Sequence, residues 1–174
     1  MRVVAGAFGG RRLQAPAGRG TRPTADRVRE ALFSILGPVD GVRAVDLFAG
    51  SGALGIEALS RGAASAVFVD TSREAVAAIE SNLARLGADV EVHRRDALRW
   101  LAGAEGPYDL VFADPPYDLA ARLAGPLAER VPAVLSDHAR IVTESDKRAP
   151  LSLALPLVTE RFYGDTRIAI HRGR

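Results

Sequence analysis

The chain has 174 residues, of which 48% are hydrophobic and 25% are charged, proportions that are ordinary for one globular domain. It contains no cysteine, which excludes disulfides, thiolate metal sites and cysteine nucleophiles. The histidines, His93, His138 and His171, lack the spacing of metal ligands, so we predict no metal. Every apolar run is far shorter than the roughly 18 residues that span a bilayer. With no secretory pattern, we expect a cytoplasmic monomer without a membrane partner.

The net charge of +2 is distributed unevenly along the chain. Residues 1–30 carry seven arginines against Asp26 and Glu30, a balance of +5. A basic arm on a slightly acidic body is typical of a protein that contacts a polyanion. We therefore predict a basic hairpin arm over residues 1–23 and one domain over 24–174. The candidate nucleic-acid contacts are Arg11, Arg12, Arg22, Thr24, Arg27 and Arg29.

The first thirty-seven residues predict a hairpin and then a helix. Residues 2–6 and 9–13 are typical of two short strands around a glycine turn. Thr24 is a candidate N-cap for a helix that ends at Gly37, before Pro38. Its expected buried stripe contains Val28, Ala31, Leu32 and Ile35, which leaves the arginines of this segment exposed.

From residue 43 onward, strand and helix patterns alternate. Strands are predicted at 44–48, 66–69, 90–93, 110–113 and 140–143, and one intervening helix begins after Ser72 and ends at Gly87. This alternation predicts an α/β, Rossmann-like fold with a mostly parallel sheet. Residues 157–163 and 166–171 flank Gly164-Asp165, which predicts a C-terminal antiparallel hairpin. Ligands of such sheets bind beyond the carboxyl ends of the strands.

A glycine-rich loop, Gly50-Ser51-Gly52-Ala53-Leu54-Gly55, joins a predicted strand to a predicted helix. Asp70 follows Gly50 by 20 residues, a spacing that fits both dinucleotide and S-adenosylmethionine sites. A tight turn that needs glycines only for packing gives the same pattern. Asp46 favours the second cofactor, because its carboxylate would repel a pyrophosphate by on the order of 1–3 kcal/mol. It would attract the ammonium and sulfonium of S-adenosylmethionine.

Further cofactor contacts are predicted at the ends of the second and third strands. Asp70 is placed to accept hydrogen bonds from ribose hydroxyls, although an acid before Ser72 also suits a helix start. Asp96 is a candidate contact for the adenine amino group or a helix N-cap. The predicted cofactor-binding set is Asp46, Phe48, Gly50, Ser51, Gly52, Gly55, Asp70, Asp96 and Ala97.

The tetrad Asp114-Pro115-Pro116-Tyr117 follows an apolar strand and predicts chemistry on an amine. An exocyclic amine of a base is a poor nucleophile because its lone pair is delocalised into the ring. Two acceptors, the Asp114 carboxylate and the Pro115 carbonyl, would bind its two N–H groups and direct the lone pair outward. The prolines hold that carbonyl rigidly, and Tyr117 offers a stacking surface worth roughly 1–3 kcal/mol. A polyproline turn with a packed tyrosine is the structural alternative.

Together these motifs resemble the RsmD family of bacterial small-subunit ribosomal RNA guanine-N2 methyltransferases. The resemblance extends from residue 2 to residue 171 and depends most on Arg22-Pro23-Thr24 and Asp26-Arg27-Val28-Arg29-Glu30. It implies a class I methyltransferase fold with seven strands and S-adenosylmethionine as the methyl donor. It also implies a guanine target in 16S rRNA, expected to be guanine 966, on an assembling small ribosomal subunit.

Three other functions remain open at this level. A DNA adenine-N6 methyltransferase shares the glycine loop and the tetrad, but 174 residues leave little room for a target-recognition segment. A dinucleotide oxidoreductase shares the glycine loop alone. An inactive RNA-binding assembly factor would keep the fold without needing Asp114.

Overall fold

The structure is a computed structural model that describes residues 1–17 and 25–173. Its helices are α1 (Asp26–Leu36), α2 (Ala53–Ser60), α3 (Arg73–Leu86), α4 (Ala97–Leu101) and α5 (Ala120–Arg130). A 3₁₀ turn, Val131–Val134, follows α5. The strands are β1 (Arg43–Leu47), β2 (Ser65–Asp70), β3 (Val92–Arg94), β4 (Tyr108–Ala113), β5 (Leu135–Asp146), β6 (Leu157–Tyr163) and β7 (Thr166–Arg172). No helix in the described ranges is long and apolar enough to cross a membrane.

The seven strands form one sheet in the order β3-β2-β1-β4-β5-β7-β6. The first five pair in parallel, whereas β7 is antiparallel to both β5 and β6. This arrangement confirms the predicted fold class, including the C-terminal hairpin at Gly164 (φ 63°). The strand order reverses between β1 and β4, so a ligand-binding crevice is expected where these two strands end.

Helices cover both faces of the sheet and create two hydrophobic clusters. One cluster, on the side of α1, α2 and α3, includes Phe33, Ile56, Phe68 and Phe112. The other, on the side of α4 and α5, includes side chains such as Val111. Because alternate residues of a strand point to opposite faces, each central strand contributes to both clusters.

The N-terminal segment folds back onto this body. A single bridge pairs Arg2 with Arg12, and the Val3 amide donates to the Arg11 carbonyl at 2.9 Å, as the predicted hairpin requires. Val3 and Leu13 are buried in the same cluster as α1 and α2. The hairpin is therefore packed against the sheet domain through its apolar residues.

Helix α1 differs from the prediction in its first residue and in its buried face. Ala25 occupies the N-cap position, and Thr24 lies outside the described residues. Ile35 is 36% exposed, whereas the buried face consists of Arg29, Leu32, Phe33 and Leu36. These residues also follow helical i, i+3, i+4, i+7 spacing, so the pattern admitted two stripes. The stripe that includes an arginine is the buried one.

Arg29 is therefore a structural residue, and its assignment as a nucleic-acid contact is wrong. Its side chain is 0% exposed and donates to the Asp26 carboxylate at 2.9 Å and to the Arg2 carbonyl. Its Nε lies 3.8 Å from Oε2 of Glu57, another fully buried group. Glu57 in turn accepts the Val4 amide at 2.7 Å. Arg29 thus helps to fix the N-terminal hairpin to α1 and α2.

Candidate active site

The ends of β1 and β4 lie side by side at the point where the strand order reverses. Leu47 pairs with Ala113, so Phe48 and Asp114 are the first residues beyond two adjacent parallel strands. Neighbouring strands are about 4.8 Å apart. The glycine loop and the proline tetrad therefore follow the same ends of two adjacent strands, where the ligand-binding crevice is expected.

The glycine loop is held by the carboxylate of Asp46. This residue is 2% exposed, and its Oδ2 accepts the Gly55 amide at 2.9 Å. A β-carbon at Gly55 would lie 2.4 Å from Cε1 of Phe68, which is closer than side chains approach. Glycine is required there because the first turn of α2 packs directly on the sheet.

The loop between β1 and α2 also has an unusual backbone. Phe48 has φ 62°, a conformation that costs a bulky residue about 1–2 kcal/mol. Strain of this kind is concentrated at ligand sites. The Gly50 amide donates to Oδ2 of Asp70 at 2.9 Å, and the other oxygen of Asp70 accepts the Ser72 amide at 2.8 Å. Asp70 thus connects the glycine loop to the start of α3, and each of its oxygens has a further acceptor position for a hydroxyl.

Two other predicted cofactor residues lie at the start of α4. Asp96 is exposed, and its Oδ1 accepts the Arg99 amide at 2.9 Å, which is the N-cap geometry given as its alternative role. Ala97 is buried beneath it. Ser51 of the glycine loop is half-buried, and its carbonyl accepts a hydrogen bond from the Asn82 amide at 3.0 Å.

The tetrad presents one half-buried carboxylate, Asp114, beside a buried Pro115 and a half-buried Tyr117. Burial raises the pKa of Asp114 well above its ordinary value, and the negative charges of Glu144 and Asp46 raise it further. Burial also raises the pKa of Asp46 to about 8, opposed by the Gly55 amide and reinforced by Asp70. The crevice therefore concentrates carboxyl groups that a cation would stabilise in their ionised form.

Sequence reasoning missed three buried polar residues. Glu144 comes directly after the predicted strand 140–143. An acidic residue at the end of a predicted strand was the signal that could have identified it. Asn82 interrupts the apolar face of α3, and its side chain also bonds both backbone groups of Gln14. Glu57 lies among mostly apolar residues of α2. A polar residue within an apolar pattern was the common signal for the last two.

The candidate nucleic-acid contacts are not all equivalent in the structure. Arg11, Arg12 and Arg27 are exposed, and Arg11 donates to the Arg85 carbonyl at 2.8 Å. Arg22 and Thr24 lie outside the described residues.

Within the ranges that are described, no group of three or more histidine, aspartate or glutamate side chains is arranged to hold a metal.

Comparison with known proteins adds a family and several relatives. A family model described as Conserved hypothetical protein 95 matches residues 1–172. The Bacillus subtilis protein YlbH is 41% identical across 100% of both chains. Ribosomal RNA small subunit methyltransferase D of Escherichia coli is 44% identical over 119 residues, which cover 67% of this chain and 60% of that protein. The solved structure of yhhF from Escherichia coli is 35% identical, with a TM-score of 0.84 over 100% of this chain and 98% of that one.

Proposed function

The chain belongs to the Conserved hypothetical protein 95 family, the RsmD family of methyltransferases, and on that basis we propose that it methylates the exocyclic N2 amine of a guanine in 16S rRNA. The proposed target is guanine 966, and the proposed methyl donor is S-adenosylmethionine. The observation that supports this proposal most directly is the pairing of Leu47 with Ala113. It brings the end of β1, which contains Asp46, next to the end of β4, which Asp114 follows. The relatives named Ribosomal RNA small subunit methyltransferase D support the choice of substrate.

The crevice fits a cationic cofactor. Asp46 and Asp70 supply carboxyl groups, and each accepts a backbone amide of the glycine loop, from Gly55 and Gly50 respectively. Gly50 and Gly52 both have positive φ, a backbone conformation that glycine adopts readily. When bound, S-adenosylmethionine supplies a methyl group activated by a positively charged sulfur. In this proposal Asp46 faces the positive end of the cofactor, Asp70 binds the ribose hydroxyls, and Phe48, Ser51, Gly55, Asp96 and Ala97 complete the site.

The tetrad would prepare the amine. The Asp114 carboxylate and the Pro115 carbonyl each accept a hydrogen bond from one N–H of the amine. These two bonds direct the nitrogen lone pair toward the methyl donor at the glycine loop. Tyr117 stacks on the base after the base leaves its place in the folded RNA. The rate gain comes from positioning and from electrostatic stabilisation of the charge that develops on nitrogen.

The exposed arginines of the N-terminal hairpin and of α1 favour an RNA substrate. Arg11 and Arg12 lie exposed on it, and Arg27 is exposed on the adjacent α1. Such side chains suit phosphate contacts that position a strand without reading its sequence. We further propose that the protein acts as a cytoplasmic monomer on an assembling small ribosomal subunit.

Methyl transfer measured on 16S rRNA within partly assembled particles and on duplex DNA tests this function. We expect transfer to the RNA, and loss of at least ~100-fold in Asp114→Ala with little change in cofactor affinity. Asp118→Ala, which removes an exposed carboxylate four residues later, is the matched control and should leave transfer unchanged. Transfer to DNA alone would support an adenine methyltransferase instead, and binding of RNA without any transfer would indicate an inactive assembly factor.

A further inference from the structure

Glu144 is a buried acid next to the crevice to which the proposed function gives no role. Thr143 of β5 pairs with Ala113 of β4, so Glu144 and Asp114 are the next residues along two adjacent strands. Glu144 is only 4% exposed. Its partner on β7 is Ile168, which belongs to the cluster on the side of α1, α2 and α3.

Asp46 lies on the same face of the sheet. It pairs with Phe112, Phe112 pairs with Val142, and both of these residues belong to the cluster that contains Ile168. Since side chains alternate along a strand, Glu144 shares this face two residues beyond Val142. The sheet register therefore places Asp46, Asp114 and Glu144 near the carboxyl ends of three neighbouring strands, on one face of the sheet.

Other charged groups lie on the elements around Glu144. On β7, Arg167 follows the alternation to the opposite face, where its Nε donates to Glu160 at 2.8 Å and a terminal nitrogen donates to the Leu151 carbonyl. On α1, Arg29 is ion-paired with Asp26. On β1 the charged neighbour is Asp46, with Asp70 beyond it.

Two adjacent carboxyl groups do not ionise independently, because the charge on one raises the cost of ionising the other. The charge of Glu144 is the largest electrostatic influence on Asp114 after burial, and it raises the pKa of that carboxyl group. A carboxylate with a raised pKa is a better proton acceptor than an ordinary aspartate. Glu144 thus acts on the amine chemistry through Asp114.

We propose that Glu144 is a positioning residue that forms a coupled carboxyl pair with Asp114, and that this pair, ionised before the reaction, takes up and shares the proton released when the amine is methylated. The inference rests on the proposed function. The amine nitrogen forms a bond to the methyl carbon while the bond from that carbon to sulfur breaks with its electron pair. The nitrogen then carries a positive charge and one surplus proton. That proton passes to the ionised Asp114 carboxylate and leaves the pair for solvent before the next turnover.

The test compares the wild type with Glu144→Gln, which removes the charge and keeps the side-chain shape. Carboxyl-carbon NMR of Asp114, recorded without RNA or cofactor, should show a titration midpoint lower by about one pH unit or more in the variant. In methyl transfer, the acidic limb of the kcat profile should move to lower pH by a similar amount. The maximal rate should fall by roughly 3–10-fold because the acceptor is a weaker base.

Controls separate a charge effect from a structural one. Glu129→Gln, the same substitution at an exposed position on α5, should change neither the Asp114 titration nor the rate. Glu144→Asp should restore a raised midpoint. If Glu144→Gln does not fold, the NMR titration of the wild type still tests the proposal. In a coupled pair the carboxyl-carbon signals of Asp114 and Glu144 both change in each of two separate titration steps.

An Asp114 midpoint that is the same in wild type and Glu144→Gln would overturn the proposal, as would two independent single-step titrations in the wild type. A shifted midpoint without methyl transfer to any nucleic acid would leave the carboxyl pair intact and refute the proposed function. The two failures are therefore distinguishable.

Discussion

Replacing Asp46 with asparagine should make the stability of the protein less sensitive to pH. Burial holds the pKa of Asp46 at about 8 in the folded chain, against an ordinary value of roughly 3.9. As the pH rises between these values, the unfolded chain loses this proton and the folded chain keeps it. The wild type therefore loses stability over this range. Asparagine does not titrate, and its side-chain oxygen still accepts the Gly55 amide.

The size of the effect follows from proton linkage. Each pH unit between the two pKa values corresponds to at most about 1.4 kcal/mol, so the stability of Asp46→Asn relative to wild type should increase by about 3.5 kcal/mol from about pH 5 to about pH 8. Urea unfolding at several pH values measures this difference. Asp89→Asn, at an exposed position, is the control and should show no such trend. A difference between Asp46→Asn and wild type that stays constant with pH would refute the reasoning.

Three further predictions concern packing, the buried ion pairs and the basic hairpin. Gly55→Ala should lower stability by about 1–3 kcal/mol in urea unfolding, because its β-carbon would lie 2.4 Å from a buried aromatic ring; unchanged stability would contradict the close packing. Arg29→Met should cost about 1–3 kcal/mol because it removes the hydrogen bonds to Asp26 and to the Arg2 carbonyl, whereas Arg27→Met at an exposed position should cost less than about 0.5 kcal/mol. Arg12→Ala should weaken RNA binding and reduce its salt slope by about 0.7–0.9, and an unchanged slope would exclude a phosphate contact there.

Most of the sheet could be predicted because its strands carry clear apolar patterns and the turns carry glycine. The predicted strand at 157–163 has the observed bounds, and α3 begins after Ser72 and ends before Gly87 as expected. Strand β5 is longer than predicted, Leu135–Asp146. At its start Leu135 pairs with Tyr108 of β4, and at its end β7 pairs with residues 144–146 although these are polar. Pairing across the sheet, rather than local pattern, sets that boundary.

The orientation of α1 could not be predicted because the decisive partner is distant in sequence. Arg29 is buried against Glu57 and the Arg2 carbonyl, and neither of these partners is visible in the pattern of the helix itself. The same limit applies to Glu144, whose relation to Asp114 depends on the register between β4 and β5. By contrast, Asp46 and Asp114 could be placed together, because both lie at the carboxyl end of a parallel strand.

The most direct test of the account is a map of guanine methylation in ribosomal RNA from cells with and without this protein. The account predicts that one guanine of 16S rRNA, guanine 966, loses its N2 methyl group without the protein. The wild-type gene should restore that methyl group, and Asp114→Ala should not. An identical 16S map in both kinds of cell, or full restoration by Asp114→Ala, would contradict it.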